Sequence, residues 1–421
     1  MRIVYLNPSG GLGGAETSLL SLMAGIRRHV PEWEITLILG EDGPLGDRAR
    51  QLTSEVRVIH FPQAFSRLGD SRVTTWNTSW YDRIATSLAA AGATVGLSRY
   101  VGRLRNALNK CQPDLIHTNG YKMHILGLWA RADSVPVIWH LHDYVRQRPL
   151  MRKLVRRYSC RCAAIIANSF SVAEDLKDVA KPGPEITTIY NSLDLDRFSP
   201  AGPHLDLDAV CGMPAAREGT VRIGFVATFA RWKGHMTFLQ ALSMMPAEIP
   251  VRAYIVGGPV YRTGGSQFTM EELRREVDRL ALSDRVGFTG FLQDAASVMR
   301  SVDMLVHAST QPEPFGMVIV EAMACGKPVI ASNAGGAAEI IQDGRNALAH
   351  PPGNAKVLAQ QMAALAADPS LRRGLGEAGL SFARTACDPH RQAREITALY
   401  ERCLLGQGRL GSKNCATSCT A

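Results

Sequence analysis

Gln311-Pro-Glu-Pro-Phe-Gly-Met-Val-Ile-Val-Glu-Ala-Met-Ala-Cys-Gly-Lys-Pro-Val-Ile-Ala-Ser332 is the stretch on which the reading of the fold turns. Pro314-Phe315-Gly316 leads into an apolar helix, Met317 to Cys325, which Gly326 ends and Pro328 seals. Val329 to Ser332 then reads as a strand, as does Met304 to His307 before it. Two short apolar strands joined by a helix are the mark of a parallel sheet with covered faces.

The same alternation extends outward. Upstream strands are expected near Ile3 to Asn7, Glu34 to Leu39, Val56 to Phe61, Leu115 to Thr118, Val137 to Leu141, Ile165 to Asn168 and Thr187 to Tyr190, with a longer helical region between the third and fourth. The stretch Asn191 to Thr220, with Pro200, Pro203 and Pro214, reads as a linker. Strands resume near Arg222 to Ala227, Val251 to Val256 and Val286 to Thr289, and finish near Ala347 to His350. The class is therefore α/β, with two Rossmann-like domains and no internal repeat.

With 421 residues, 46% hydrophobic and 20% charged, the chain can fill two or three cores, which excludes coiled-coil, collagen-like and wholly disordered classes. The net charge of +9 suits an anionic ligand, a membrane surface or nucleic acid. Nine cysteines form no Cys-x-x-Cys pair and leave one over, so reduced thiols are expected rather than a disulfide framework or zinc ribbon. No signal region follows Met1, and the uncharged stretch Ile84 to Ser98 is too short to span a bilayer. A cytoplasmic protein is expected, with peripheral attachment to the inner face of a membrane left open. Arg409 to Ala421 has no apolar period and is expected to fray.

Ligands of open parallel sheets bind beyond the carboxyl ends of the strands, and here the loops after strands carry the unusual residues. Ser9-Gly10-Gly11-Leu12-Gly13-Gly14-Ala15-Glu16 can bring backbone amides to an anion, or form only a tight turn. It is not a dinucleotide fingerprint, because Glu16 stands where the third glycine belongs. Lys233, between Trp232 and Gly234, can reach a phosphate or merely be solvated, and Arg231 is equally ambiguous. Amides of Gly316, Met317 and Val318, opening a helix behind Phe315, favour phosphate. Carboxylates beside an anion site make sense if they hold hydroxyls, so Glu313 and Glu321 suggest sugar and ribose on either side of a diphosphate; capping by Glu313 and solvation of Glu321 are the plain alternatives.

His142 ends the strand Val-Ile-Trp-His-Leu-His and can meet a sugar hydroxyl; His140, His117 and Asn119 are more readily structural. Asp194-Leu-Asp196 and Asp206-Leu-Asp208 match a metal-diphosphate pattern only weakly, and no metal is expected. Arg146, Arg148, Arg152, Lys153, Arg156, Arg157 and Arg161 alternate with apolar residues, which predicts a basic helix face for anionic lipid, an acidic acceptor or solvent; Arg99, Arg103 and Arg105 extend it.

Together, Gly11-Leu12-Gly13-Gly14-Ala15-Glu16, Trp232-Lys233-Gly234, Glu313-Pro314-Phe315-Gly316 with Glu321 to Val329, and Gly335-Gly336-Ala337-Ala338-Glu339 resemble the family 4 retaining glycosyltransferases of GT-B fold. The resemblance spans nearly the whole chain. It implies an acceptor domain (residues 1–195), a nucleotide-sugar domain (196–385), sheets facing a central cleft, a helix (386–408) returning to the first domain and a tail (409–421). It also implies hexose transfer from a nucleoside diphosphate sugar, with retention and without metal or other cofactor, to a glycan or lipid-linked acceptor in polysaccharide or glycolipid synthesis. Carried onto matching positions, Glu313 would hold donor sugar hydroxyls, Glu321 the ribose, Lys233 the diphosphate, and Gly13 and Gly14 would line the diphosphate while His142 lies near the anomeric centre.

Three positions depart from that pattern. Thr228 stands where many relatives have arginine, so a phosphate cation is missing unless Arg231 replaces it; Ser192 and Ala347 stand in place of turn glycines. The readings in competition are a nucleotide-sugar-binding protein without transfer and a same-fold epimerase or phosphorylase. Nucleic-acid binding is disfavoured, since the basic residues fall in no binding module.

Overall fold

The computed structural model describes residues 1–62, 80–259 and 265–410. The chain divides into two compact units: Met1–Ser192 together with the segment from Pro389 onward, and Leu193–Asp388.

The first unit holds a seven-stranded parallel sheet of β1 (Arg2–Asn7), β2 (Glu34–Leu39), β3 (Glu55–Val58), β4 (Leu115–Asn119), β5 (Val137–Leu141), β6 (Ala164–Ala167) and β7 (Glu185–Thr188). Their spatial order is β3-β2-β1-β4-β5-β6-β7. The central strands are buried on both sides, which is why they read as largely apolar runs, broken by His117, Thr118 and Asn119 in β4 and by His140 in β5. One face packs around Trp139, Tyr100 and Leu126; the other packs around Ile35, Leu37 and Met23 together with Ala393, Ile396, Leu399 and Tyr400 of the last helix, Pro389–Leu410. That helix runs to Leu410, two residues into the stretch expected to fray, and residues 411–421 lie outside the described residues.

The second unit repeats the plan with six parallel strands: β8 (Val221–Val226), β9 (Val251–Val256), β10 (Val286–Gly290), β11 (Met304–His307), β12 (Val329–Ser332) and β13 (Leu348–His350). Their order is β10-β9-β8-β11-β12-β13. In both sheets the strand order reverses beside the first strand, between β1 and β4 and between β8 and β11, which is where open parallel sheets meet their ligands.

The expected linker is not free chain. Residues from Leu193 onward cluster with the second unit, and Leu207, in a short helix Leu207–Cys211, packs with Tyr254, Val256, Val298 and Val302. Buried Arg300 binds the carbonyls of Pro203 (2.8 Å), Arg197 (3.1 Å) and Ser199 (3.4 Å). Prolines removed the periodicity that signals an element, and a buried guanidinium supplies the order instead.

Candidate active site

In the second unit the chain leaves β8 and forms a single 3₁₀ turn, Arg231–Lys233, before the helix His235–Ser243. Gly234 joins them at φ +83°, and a Cβ there would lie 1.8 Å from the Ala308 carbonyl oxygen. Only glycine lets this turn press against the loop after β11. The approach brings Lys233 to Glu313: Nζ lies 2.9 Å from Oε1 and 2.8 Å from Oε2.

Glu313 is buried and has further partners. Ser309 Oγ donates to Oε2 at 3.0 Å, and His307 Nε2 lies 3.3 Å from the same oxygen. Burial alone would raise this carboxyl, but the Lys233 charge and the His307 contact outweigh it and hold it well below the usual carboxylate range. The helix Met317–Ala324 starts at Gly316, which sits at φ +95° and receives no side-chain cap, so Glu313 does not serve as its cap. At the other end Gly326 N–H bonds the Met323 carbonyl and Lys327 N–H that of Ala322, the Schellman closure expected of a C′ glycine. Phe315 is buried beneath the loop, while Met317 and Val318 open the helix half-buried.

Glu321 lies one turn further along this helix. It is half-buried, no hydrogen bond to its carboxyl is found among the described residues, and burial pushes it up to about 7 against the weaker pull of Arg197. A carboxyl so placed offers two acceptors to a hydroxyl-bearing ligand. Arg231 does not join the group. Its guanidinium pairs with Glu272 at 2.8 Å, donates to the Gly265 carbonyl at 3.0 Å and lies 4.4 Å from the Phe268 ring centroid. The expected substitute for the cation missing at Thr228 therefore already has a counter-ion.

In the first unit Gly13 precedes the helix Gly14–His29, and the Glu16 carboxylate turns back to accept from Gly13 N–H at 3.1 Å. Gly14 stays exposed. Burial raises the Glu16 carboxyl, opposed by bonds to its own amide, Asn7 and Gly13. At the end of β4 Asn119 donates to Asn7 Oδ1 at 2.6 Å, and its own Oδ1 is buried with no partner among the described residues. His142 follows β5 with its ring centroid 4.1 Å from that of His140. Both its ring nitrogens are buried and find no partner among the described residues, and burial pushes it down to about 4, so the imidazole is neutral near pH 7.

On the helix Pro149–Tyr158, Arg152, Lys153, Arg156 and Arg157 are exposed, while Met151 and Val155 are buried. Arg146 pairs with Asp178 and Arg148 with Asp143, so these two expected members are neutralised. Three of the four acids of the weak metal pattern take local parts: Asp194 holds the Asp196 and Arg197 amides, Asp206 caps its helix, and Asp208 pairs with Arg252. Ser192, which stands in place of a turn glycine, donates to Gln392 Oε1 of the last helix at 2.6 Å. His307 and Ser309, which hold Glu313, had no motif to announce them; their position at the end of β11 was the available signal.

Among the described residues no helix is long and apolar enough to cross a membrane. Residues 12–197 match the model of Glycosyltransferase Family 4, and residues 214–382 that of Glycosyl transferases group 1. N-acetyl-alpha-D-glucosaminyl L-malate synthase of Bacillus anthracis is 27% identical over 60% of this chain and 62% of its own length, less than two thirds of that protein. D-inositol 3-phosphate glycosyltransferase of Streptomyces bingchenggensis is 27% identical over 71% of this chain and 69% of its own. Among solved structures, Anabaena HepE in complex with UDP and glucose superposes with a TM-score of 0.75 at 25% identity, over 95% of this chain and 99% of that one; it is also solved with UDP-glucose. The two family models cover both strand-end clusters, and the chain belongs to glycosyltransferase family 4, with the GT-B fold.

Proposed function

We propose that the protein transfers a hexose-type sugar from a nucleoside diphosphate sugar to a glycan or lipid-linked acceptor, with retention and without a metal ion. The observation that carries this reading is the pairing of half-buried Lys233 with buried Glu313 ahead of the helix Met317–Ala324, with the Glu321 carboxyl, unpartnered among the described residues, further along it. An ammonium has three donors; two are held by Glu313, and the third is suited to a diphosphate oxygen. The helix start adds its positive end for the departing charge. Glu313, kept ionised, receives sugar hydroxyls, and Glu321 receives the ribose. The neutral His142 ring takes a sugar hydroxyl near the reacting carbon. The acceptor hydroxyl attacks the face that the diphosphate leaves, a phosphate oxygen takes its proton, and no protein nucleophile is needed. The UDP-glucose complex of HepE supports a nucleotide sugar as donor. The exposed basic face of Pro149–Tyr158 supports an anionic membrane surface as the place where a lipid-linked acceptor is met.

A thermal-shift screen against UDP, GDP, ADP and their common sugar conjugates, with EDTA present, tests this. A ligand at about 100 Kd adds roughly 2.7 kcal/mol. A selective rise identifies the donor; no rise with any of them, even with metal restored, overturns the reading. A second reading, a nucleotide-sugar-binding protein without transfer, is favoured by Thr228 and by the pairing of Arg231 with Glu272. It predicts a rise in melting temperature without donor hydrolysis or transfer.

A further inference from the structure

The first unit contains a buried polar chain that the proposed reaction leaves unused. Tyr5 of β1 and Tyr400 of the last helix bring their hydroxyls to 3.0 Å. Tyr400 Oη lies 2.6 Å from His117 Nδ1, and His117 Nε2 lies 3.2 Å from His140 Nδ1. The His140 ring then meets the His142 ring, the two planes tilted by 36°. Tyr5, His117 and Tyr400 are fully buried, and His140 is nearly so.

Such a chain has a direction. Burial, and then the neighbouring His142, push His117 down to about 3, and burial pushes His140 well below its usual value, so each ring is neutral and carries one N–H. Either hydrogens point from Tyr5 through Tyr400 and His117 toward His140, or they point the reverse way. Each arrangement satisfies three of the four hydrogens. In the reverse arrangement the unmet hydrogen is that of the Tyr5 hydroxyl, sealed in the core with Tyr400 as its hydrogen-bonding neighbour. In the forward arrangement it is His140 Nε2–H, for which no hydrogen-bond partner is found among the described residues, on the ring that lies against His142. Each direction leaves one orphan donor, at about 1 to 3 kcal/mol, so the link between phenol and imidazole decides: the 2.6 Å from Tyr400 Oη to His117 Nδ1 lies in the range of an O–H donor and is shorter than an N–H donor gives, and the chain runs forward.

We propose that Tyr400, His117 and His140 are positioning residues for His142: through a one-way chain of hydrogen bonds the last helix fixes the tautomer of His140 and, against it, the orientation of the His142 ring. This rests on the reading that His142 meets the transferred sugar.

Histidine-labelled protein gives a readout that needs no substrate. Long-range ¹H–¹⁵N spectra are expected to show His117 and His140 protonated at Nε2 with Nδ1 accepting, and Tyr400→Phe to mix both tautomers. Nδ1-protonated rings in the unaltered protein, or tautomers untouched by Tyr400→Phe, overturn the proposal. With UDP-glucose, or whichever nucleotide sugar raises the melting temperature in the screen above, Tyr400→Phe is expected to lower kcat about tenfold with donor KM within twofold. Tyr5→Phe, which only feeds the chain from behind, keeps kcat within twofold. In a His142→Asn background Tyr400→Phe has no further effect; an undiminished tenfold loss there means that Tyr400 acts elsewhere and refutes the proposal. His117→Asn breaks the same chain from the middle and gives the same test if Tyr400→Phe does not fold. Should His142→Asn alone leave turnover unchanged, the role given to His142 falls and takes the positioning proposal with it, while the tautomer spectrum still reports whether the chain exists.

Discussion

The strand ends of the two units are built on one plan, but one set is charged and the other neutral. In the second unit the loops after β8 and β11 bring an ammonium against a carboxylate and leave another carboxyl unpartnered on the following helix. In the first unit the loops after β4 and β5 carry asparagine and imidazole, and four histidines, His117, His124, His140 and His142, are all held neutral by burial. The order of strands around the reversal is shared, so topology fixes where a ligand can be met and the strand-end residues fix its chemistry. Fixed charge suits a departing diphosphate, and neutral groups suit hydroxyls beside a carbon that is gaining positive charge.

The largest effect is expected from breaking the charged side of this contrast. Lys233→Met strands the Glu313 carboxylate in a buried position, which by the behaviour of buried pairs costs about 3 kcal/mol. Urea denaturation is expected to show that loss, and calorimetric titration the loss of nucleotide-sugar binding. Adding Glu313→Gln restores most of the stability and none of the binding. Binding that returns with stability would reduce the pair to a structural part.

The neutral side breaks with acid. An unfolded histidine binds its proton near pH 6.5, whereas His142 waits until about pH 4 and His117 until about pH 3. Between those values the unfolded state holds more protons, so stability falls as pH falls, by about 1.4 kcal/mol per pH unit for each such ring. The second unit has two rings lowered by burial, His235 and His350, against four in the first. Hydrogen exchange at pH 5 is therefore expected to open β4 and β5 before β8 and β11. His117→Asn is expected to flatten the pH dependence by about one proton; the opposite order of opening would break the comparison.

How far the sequence discloses these sites follows from the same physics. Among the described residues the inner strands lie where apolar runs place them, because a strand buried on both faces can only be largely apolar; the partly exposed edge strands Glu55–Val58 and Glu185–Thr188 start one and two residues ahead of the expected ones and end earlier. Glu313 and Lys233 sit beside glycine and proline turns with their own sequence signature, and their pairing is what the fold adds. The linker was misread because Arg300 orders it from about a hundred residues away, through backbone carbonyls that have no sequence identity. Tyr5, His117 and Tyr400 were illegible as a group for a similar reason: they come from three distant segments and meet only when the last helix packs on the first unit.

A smaller effect sharpens the contrast on the charged side. Glu321, raised to about 7, binds its proton more tightly folded than unfolded. Its contribution to stability is therefore present at low pH and is lost as pH rises through 7. Glu321→Gln is expected to match the unaltered protein in melting temperature at pH 5 and to exceed it by a few degrees at pH 8. Nucleotide-sugar binding by the unaltered protein is expected to strengthen over the same rise, since hydroxyls donate to the ionised carboxyl, and the variant is expected to show neither trend. A difference in melting temperature that is the same at both pH values would place the carboxyl in solvent.

The smallest effect on the fold is expected on the helix Pro149–Tyr158, where charge lies outside both strand-end clusters. Arg152, Lys153, Arg156 and Arg157 point away from the core that Met151 and Val155 enter, so replacing all four by serine is expected to alter stability by no more than about 1 kcal/mol. Binding to anionic vesicles responds differently, because each basic residue near such a surface contributes about 1 kcal/mol and the contributions are screened by salt. Co-sedimentation with phosphatidylglycerol vesicles at low salt is expected for the unaltered chain, with most of it lost in the fourfold variant and at high salt. Equal sedimentation of the two proteins would leave this face as ordinary solvated surface and confine the functional charge to Lys233, Glu313 and Glu321.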